Sequence, residues 1–226
     1  MQEVTLRIAH DADFPPLTFV DGAESRRLVI DLLKEIPHRA GLSPVFVPIA
    51  HADHEEALRN GAADAIAFKG IVPEFTAVFD FSAPILISGG AWFRQKGDSA
   101  NGPGLPEGAR VVTPGRGPML GVLQRNHPHL ELAAVDSYAD ALAAVADGAA
   151  NAAALNFHIG GYLSRRDHPD RIAVPSVPFA PQPIAFCVLK GQHQDLLSAF
   201  DRALETALGE GLRKRLETQW LGEAGD

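Results

Sequence analysis

The sequence predicts an α/β fold of two lobes, each a mainly parallel sheet flanked by helices. Three observations predict it. Strand-like and helical segments alternate along the first part of the chain; a Gly- and Pro-rich stretch at residues 99–107 interrupts them; and the same strand–helix–strand order then restarts. Alternation of this kind implies parallel strands, because a helix must carry the chain back before the next strand can run in the same direction.

The elements follow in order. Residues 4–9 are short, β-branched and half apolar, and the turn-prone residues 11–16 end them. Over residues 28–40, Leu28, Ile30, Leu32, Leu33 and Ile36 recur with charges between them, as on an amphipathic helix that Pro37 ends or kinks and Gly41 stops. A strand is expected over 44–49, a short helix over 53–60 closed by Gly61, and a strand over 64–68. After the interruption come strands at 109–113 and 132–135 around a helix at 119–125. An alanine-rich helix at 138–146 ends near Gly148, followed by a strand at 152–155 and a helix from 158 to 164. Residues 194–220 carry Leu196, Leu197, Phe200, Leu204, Leu208, Leu212 and Leu216 on one side, broken at Gly209 and Gly211, which predicts two packed helices.

Composition narrows the function. A chain of 226 residues can bury a sizeable core, and 46% apolar with 21% charged residues fits a globular protein. A net charge of -8, with no long basic run, argues against nucleic acid and anionic membrane as partners. Arg213, Lys214 and Arg215 are flanked by Glu210 and Glu217 and read as a solvated helix face. The one cysteine, Cys187, lies in the apolar run 184–189 and is expected in a buried strand. The chain enters a strand almost at once, so a secretory leader is expected to be missing from it even if the gene encodes one.

Several segments resemble one family when taken together. They are Asp11 to Phe19 (DADFPPLTF), Ala57 to Ile66 (ALRNGAADAI), Pro73-Glu74, Phe79 to Pro84 (FDFSAP), Asp136-Ser137-Tyr138, the run 142–150 and Trp220-Leu221-Gly222. In order and spacing they resemble the type II periplasmic solute-binding proteins of the amino-acid-binding class, whose fold also serves in bacterial sensor receptors. The resemblance implies a Venus flytrap: residues 1–93 plus 190–226 as one lobe, residues 94–189 inserted as the other. Hinge strands near 90–94 and 183–188 would join the lobes, with a small-molecule ligand held between them by hinge closure. It implies a periplasmic or extracytoplasmic location, a monomer, and as partner either a membrane permease or the protein's own membrane-embedded signalling module. No cofactor and no metal are implied.

The departures from the family pattern bear on the ligand. Where amino-acid binders place an arginine after the Pro-Glu pair, to grip a carboxylate through two parallel hydrogen bonds, this chain has Phe75. Gly70 stands where they have a threonine hydroxyl, and Asn151 and Asn156 replace two acids of the second lobe. Both handles for a zwitterion are weakened, which argues against an ordinary α-amino acid.

The resemblance places the ligand-binding candidates at Asp11, Phe14, His51, Phe68, Lys69, Gly70, Phe75, Arg116, Gly117 and Asn156. Phe14 stacks on the ligand or packs in the core. Asp11 accepts a ligand hydrogen bond or caps its loop. His51 faces the cleft or solvent. Lys69 supplies a positive group or is solvated. Arg116 and Gly117 lie in a Gly-rich loop (113–118) leading into a helix, a setting that favours an anion, or form a plain turn. Asn156 meets a neutral polar ligand or caps the following helix. Phe14, Phe68, Phe75 and His51 together point to a flatter or less polar ligand, with Lys69 or Arg116 answering a negative group.

Catalysis finds little support. Dehydratases of the same superfamily need a carboxylic acid in the cleft, and the aligned positions here are Asn156 and Phe157. There is no Gly-x-Ser-x-Gly elbow, and His127, His129, His158, His168 and His193 fall in polar or helical settings. His51, His54 and Glu55 have close spacing but read as surface groups of a short helix. Binding for ABC-type transport is the expected function, with a ligand-sensing receptor domain as the alternative and a dehydratase-like enzyme behind both.

Overall fold

The computed structural model describes residues 4–98, 104–115 and 119–221. It divides into two compact units: one runs up to Ile87 and resumes at Gln182, the other runs from Ser88 to Pro181. The divisions fall earlier in the chain than the expected 93/94 and 189/190. Each lies inside a long strand, so the first residues of that strand belong to one unit and the rest to the other.

In the first unit, strands β1 (Val4–His10), β5 (Leu42–Pro48) and β6 (Ala65–Gly70) run parallel with β1 in the middle. β13 (Ala180–Leu189) runs antiparallel to β6, and β7 (Phe79–Phe81) runs antiparallel to β13. Helix α1 (Leu28–Arg39) covers this sheet. Its Leu28, Val29, Ile30, Leu32, Leu33 and Ile36 are all fully buried, an upper-bound contribution on the order of 10 kcal/mol.

Pro37 was expected to end or kink α1. The helix instead runs two residues past it, because a proline three residues from the end forfeits a single hydrogen bond while its ring is buried. Arg27 precedes α1 at a φ of 99°, in a region of backbone space that is nearly glycine-only. Its guanidinium lies 4.9 Å from the ring centre of Trp220 and 5.5 Å from that of Phe19.

A three-stranded antiparallel sheet follows, β2 (Asp13–Phe14), β3 (Thr18–Asp21) and β4 (Glu24–Arg26), whose first strand falls within the turn-prone residues 11–16. Gly22 turns the β3–β4 hairpin at a φ of 63°. A 3-10 turn (His51–Asp53) leads into α2 (His54–Arg59), and α3 (Pro73–Thr76) is a single turn after β6. The tail forms α7 (Gln194–Gly209) and α8 (Leu212–Leu221), with Gly211 at a φ of 76° between them. Trp220 of α8 donates from Nε1 to Asp31 of α1 at 2.8 Å.

In the second unit, β10 (Glu131–Val135), β9 (Arg110–Pro114) and β11 (Ala152–Asn156) run parallel. β8 (Leu86–Gln95) runs antiparallel to β11, and β12 (Ile172–Ala173) pairs with β8. Helices α4 (Met119–Asn126), α5 (Tyr138–Ala146) and α6 (Phe157–Asp167) flank the sheet. The core collects Phe93, Leu142, Val145 and Leu155 between sheet and helices. A second cluster stacks Trp92 on Phe179 at 3.9 Å between ring centres.

Both units therefore have the mixed α/β construction that the strand–helix alternation predicts. Cys187 is fully buried in β13, and burial pushes its thiol up to about 12. No described helix is long and apolar enough to cross a membrane.

Candidate functional site

The candidate residues of the first unit gather at the carboxyl ends of β1 and β6, the end of an open α/β sheet at which ligands generally bind. Asp11 follows β1 directly, and its carboxylate Oδ2 lies 3.1 Å from Nδ1 of His51 in the 3-10 turn. On the other side of the same ring, Nε2 of His51 is 3.4 Å from Nζ of Lys69. Asp11, His51 and Lys69 thus form a chain of polar contacts drawn from three elements.

β6 extends through Lys69 and Gly70, two residues past the strand expected over 64–68. The strand register holds them, with Lys69 opposite Ala185 and Gly70 opposite Ile184 of β13. As a result Lys69 is buried, only 6% exposed. Its ammonium lies 5.1 Å from the ring centre of Phe75 and 5.8 Å from that of Phe79. Burial pulls its pKa down, against the weaker opposing pull of Cys187, Asp11 and Glu55.

Phe14, in β2, and Phe68, in β6, meet with ring centres 6.0 Å apart, both half-buried. Phe75, in α3, packs edge-on to Phe79 at 6.3 Å. Gly70 is not forced by close packing, since a Cβ there would meet the Gln182 side chain at an ordinary 3.6 Å. The Gln182 amide is held by the carbonyls of Ile71 and Pro183 at 3.2 and 3.3 Å.

Two further histidines lie beside this group, of which His10 was not singled out by the sequence and His54 was read as a surface group. His10, at the end of β1, is 1% exposed, with Nδ1 2.9 Å from the Asp11 carbonyl and Nε2 2.8 Å from the Ser25 hydroxyl. Burial depresses its pKa. His54 was expected on the surface but is also 1% exposed, with Nε2 3.0 Å from the Ile49 carbonyl. Its neighbours Ala57 and Leu58 are buried too, and the i, i+3, i+4 stripe His54–Ala57–Leu58 is the signal that places the imidazole on the inner face. Asp11, His51 and His54 each offer one ligand atom, all within 4.8 Å of one another.

In the second unit, Asn156 is the N-cap of α6. Its Oδ1 accepts from the backbone N–H groups of His158 and Ile159 at 3.0 and 3.1 Å, and its Nδ2 donates to the Ser88 hydroxyl at 3.1 Å. Most of its hydrogen-bonding capacity is spent inside the unit. His158 is fully buried with Nδ1 3.0 Å from the same hydroxyl, and burial lowers its pKa to about 4. Asn151 accepts from the Arg110 backbone N–H at 2.8 Å and so ties two strand ends together. Arg116 and Gly117 lie outside the described residues.

The structure thus brings Asp11, His51, Lys69 and Phe75 together in one run of contacts and Phe14 with Phe68 in another. The description "bacterial extracellular solute-binding proteins, family 3" matches residues 6–223. The chain belongs to this family.

Among solved structures, substrate binding domain 2 of Lactococcus lactis GlnP, in its open conformation, superposes on this family member with a TM-score of 0.87. The identity is 18%, over 100% of this chain and 98% of that one. The L-cystine solute receptor of Neisseria gonorrhoeae, unliganded and open, gives 0.85 at 17% identity over 98% and 94%. The periplasmic VFT2 domain of Bordetella pertussis BvgS gives 0.71 at 20% identity over 96% and 93%. These are likenesses of fold to a substrate binding domain, a solute receptor and a periplasmic VFT domain. No curated protein matches the chain in sequence. The family and these neighbours are binding proteins.

Proposed function

We propose that this chain binds a small solute carrying an anionic group and an apolar or flat portion, rather than an ordinary α-amino acid, and hands it to an ABC-type membrane permease outside the cytoplasm. One observation carries the choice of solute: a buried lysine, Lys69, sits against Phe75, the residue that stands in place of the family's carboxylate-gripping arginine. A desolvated ammonium is unfavourable by itself and recovers that cost when a carboxylate or phosphate arrives. An arginine would grip a carboxylate as a planar fork, whereas an ammonium is a point charge that tolerates other anion geometries. The rings of Phe14, Phe68 and Phe75 supply the apolar surface.

The fold likeness to the BvgS domain supports a second reading, a ligand-sensing domain of a membrane receptor. The gene decides between them: a membrane helix followed by a signalling module on the same polypeptide marks a sensor, and an adjacent permease gene marks transport.

Thermal-shift screening of the purified chain against a metabolite library tests the solute class. A true ligand at one hundred times its dissociation constant stabilises by about 2.7 kcal/mol. Organic anions with a ring or alkyl body should raise the melting temperature, and simple α-amino acids should not. A library in which only α-amino acids shift the melting temperature overturns the assignment.

A further inference from the structure

Asp11, His51 and His54 make up a ligand set that the solute-binding reading does not use in full. We propose that these three side chains bind a divalent transition-metal ion of the zinc class. Two imidazoles and a carboxylate are a common donor set for such an ion, and three protein ligands leave a fourth position open.

The argument starts at His54. Its ring is 1% exposed, yet Nδ1 has no hydrogen-bond partner. Nε2 lies 3.0 Å from the Ile49 carbonyl, and since a carbonyl only accepts, Nε2 carries the proton. Nδ1 is then a bare lone pair, buried and unpartnered, which is an arrangement that costs free energy unless something fills it. An N–H tied to a backbone carbonyl is also what fixes the tautomer and ring orientation of a metal-binding histidine.

The other two ligands are close and adjustable. One atom from each of the three residues lies within 4.8 Å of the others. Donors around a tetrahedral zinc ion sit about 3.3 Å apart, so the group must contract by roughly 1.5 Å at most. The His51 side chain is 60% exposed and can turn to do so. His51 and Asp11 already touch at 3.1 Å, so these two ligands need no rearrangement of the backbone to meet.

Lys69 opposes the ion, because its ammonium is 3.4 Å from Nε2 of His51. An anionic donor from the solute, taken at the open position, would offset part of the positive charge of both the ion and the ammonium. That last step rests on the proposed solute binding; the ion site itself does not.

The test uses tag-free full chain, stripped with a chelator and titrated near neutral pH with zinc chloride alone, by calorimetry and by thermal shift. One saturable site is expected, with a rise in melting temperature. Asp11→Asn and His51→Gln, at side chains that are not core, each weaken zinc binding by about 10-fold or more. Lys69→Met tightens it, which a merely structural role for the cluster would not produce. The double variant His127→Gln/His129→Gln removes an imidazole pair of the second unit, 5.8 Å apart, and leaves the affinity unchanged. Absence of saturable zinc binding, or equal affinity in the Asp11→Asn/His51→Gln double variant, overturns the site. Because no organic solute is present, that failure would leave the proposed solute class untouched, and failure of the metabolite screen would leave the zinc result standing.

Discussion

The ammonium of Lys69 lies 5.1 Å from the centre of the Phe75 ring, and among the described residues no carboxylate pairs with it. A buried cation whose neighbours are aromatic faces and the His51 ring is held at a cost, which the proposed anionic solute would offset.

Lys69→Met should therefore stabilise the unliganded chain by about 1 kcal/mol or more, since an apolar chain of similar length replaces a desolvated charge. The same variant should lose affinity for organic anions found by thermal-shift screening. Urea melts and ligand titrations read the two effects separately. A destabilised variant with full affinity for those anions would show that Lys69 is structural.

His158 sets an acid limit on stability. Its imidazole titrates near 6.5 when unfolded and at about 4 in the fold, because burial disfavours the charged ring. A lowered folded pKa means the unfolded chain takes up the proton first. The contribution is complete above about pH 6.5 and falls as pH drops towards 4, by about 3 kcal/mol in all. Denaturant melts across that range should show the loss, and His158→Gln should flatten the part that this ring supplies. An unchanged slope in the variant would assign the acid sensitivity to other groups.

Gly160 is required by its neighbours. A Cβ added there would stand 2.4 Å from two ring atoms of Phe93 and 3.1 Å from Cβ of Leu155, all of them buried. Gly160→Ala should cost about 1–3 kcal/mol, because overpacking outweighs the gain in helix propensity. Phe93→Leu in the same chain should recover part of the loss, since it removes the ring that the methyl strikes. A double-mutant cycle showing strict additivity would sink that account.

Ser137 begins α5. Its hydroxyl accepts from the Asp140 backbone N–H at 3.1 Å and donates to the Asp140 carboxylate at 2.6 Å. Ser137→Ala should lower stability by about 1 kcal/mol, while Ser137→Asp, which can cap in the same way, should cost less. Thermal melts of the two variants side by side decide it.

Elements with strong periodicity were legible from sequence. α5 matches the alanine-rich segment ahead of Gly148, and α7 and α8 separate beside Gly211, because helical spacing and a glycine stop are local signals. The small β2–β3–β4 sheet was not, since strands of two to four residues carry no readable alternation. At the site, the sequence could name His51 and Lys69 but could not bury Lys69, whose environment comes from β13, more than a hundred positions along the chain. Asn156 shows the opposite failure. Its local role as a helix cap was visible, but the hydroxyl of Ser88 that takes its amide was not. His54 carried a usable signal in its stripe with Ala57 and Leu58, which the polar look of the segment outweighed.

The segment from Ser88 to Pro181 is one unbroken stretch of chain, whereas the first unit is assembled from two. β13 supplies the strand between β6 and β7, so these two strands lack their shared neighbour until residues 180–189 have been synthesised. During translation the inserted unit can finish folding while its host is still waiting, and a truncation that removes the tail should spare the former and unravel the latter.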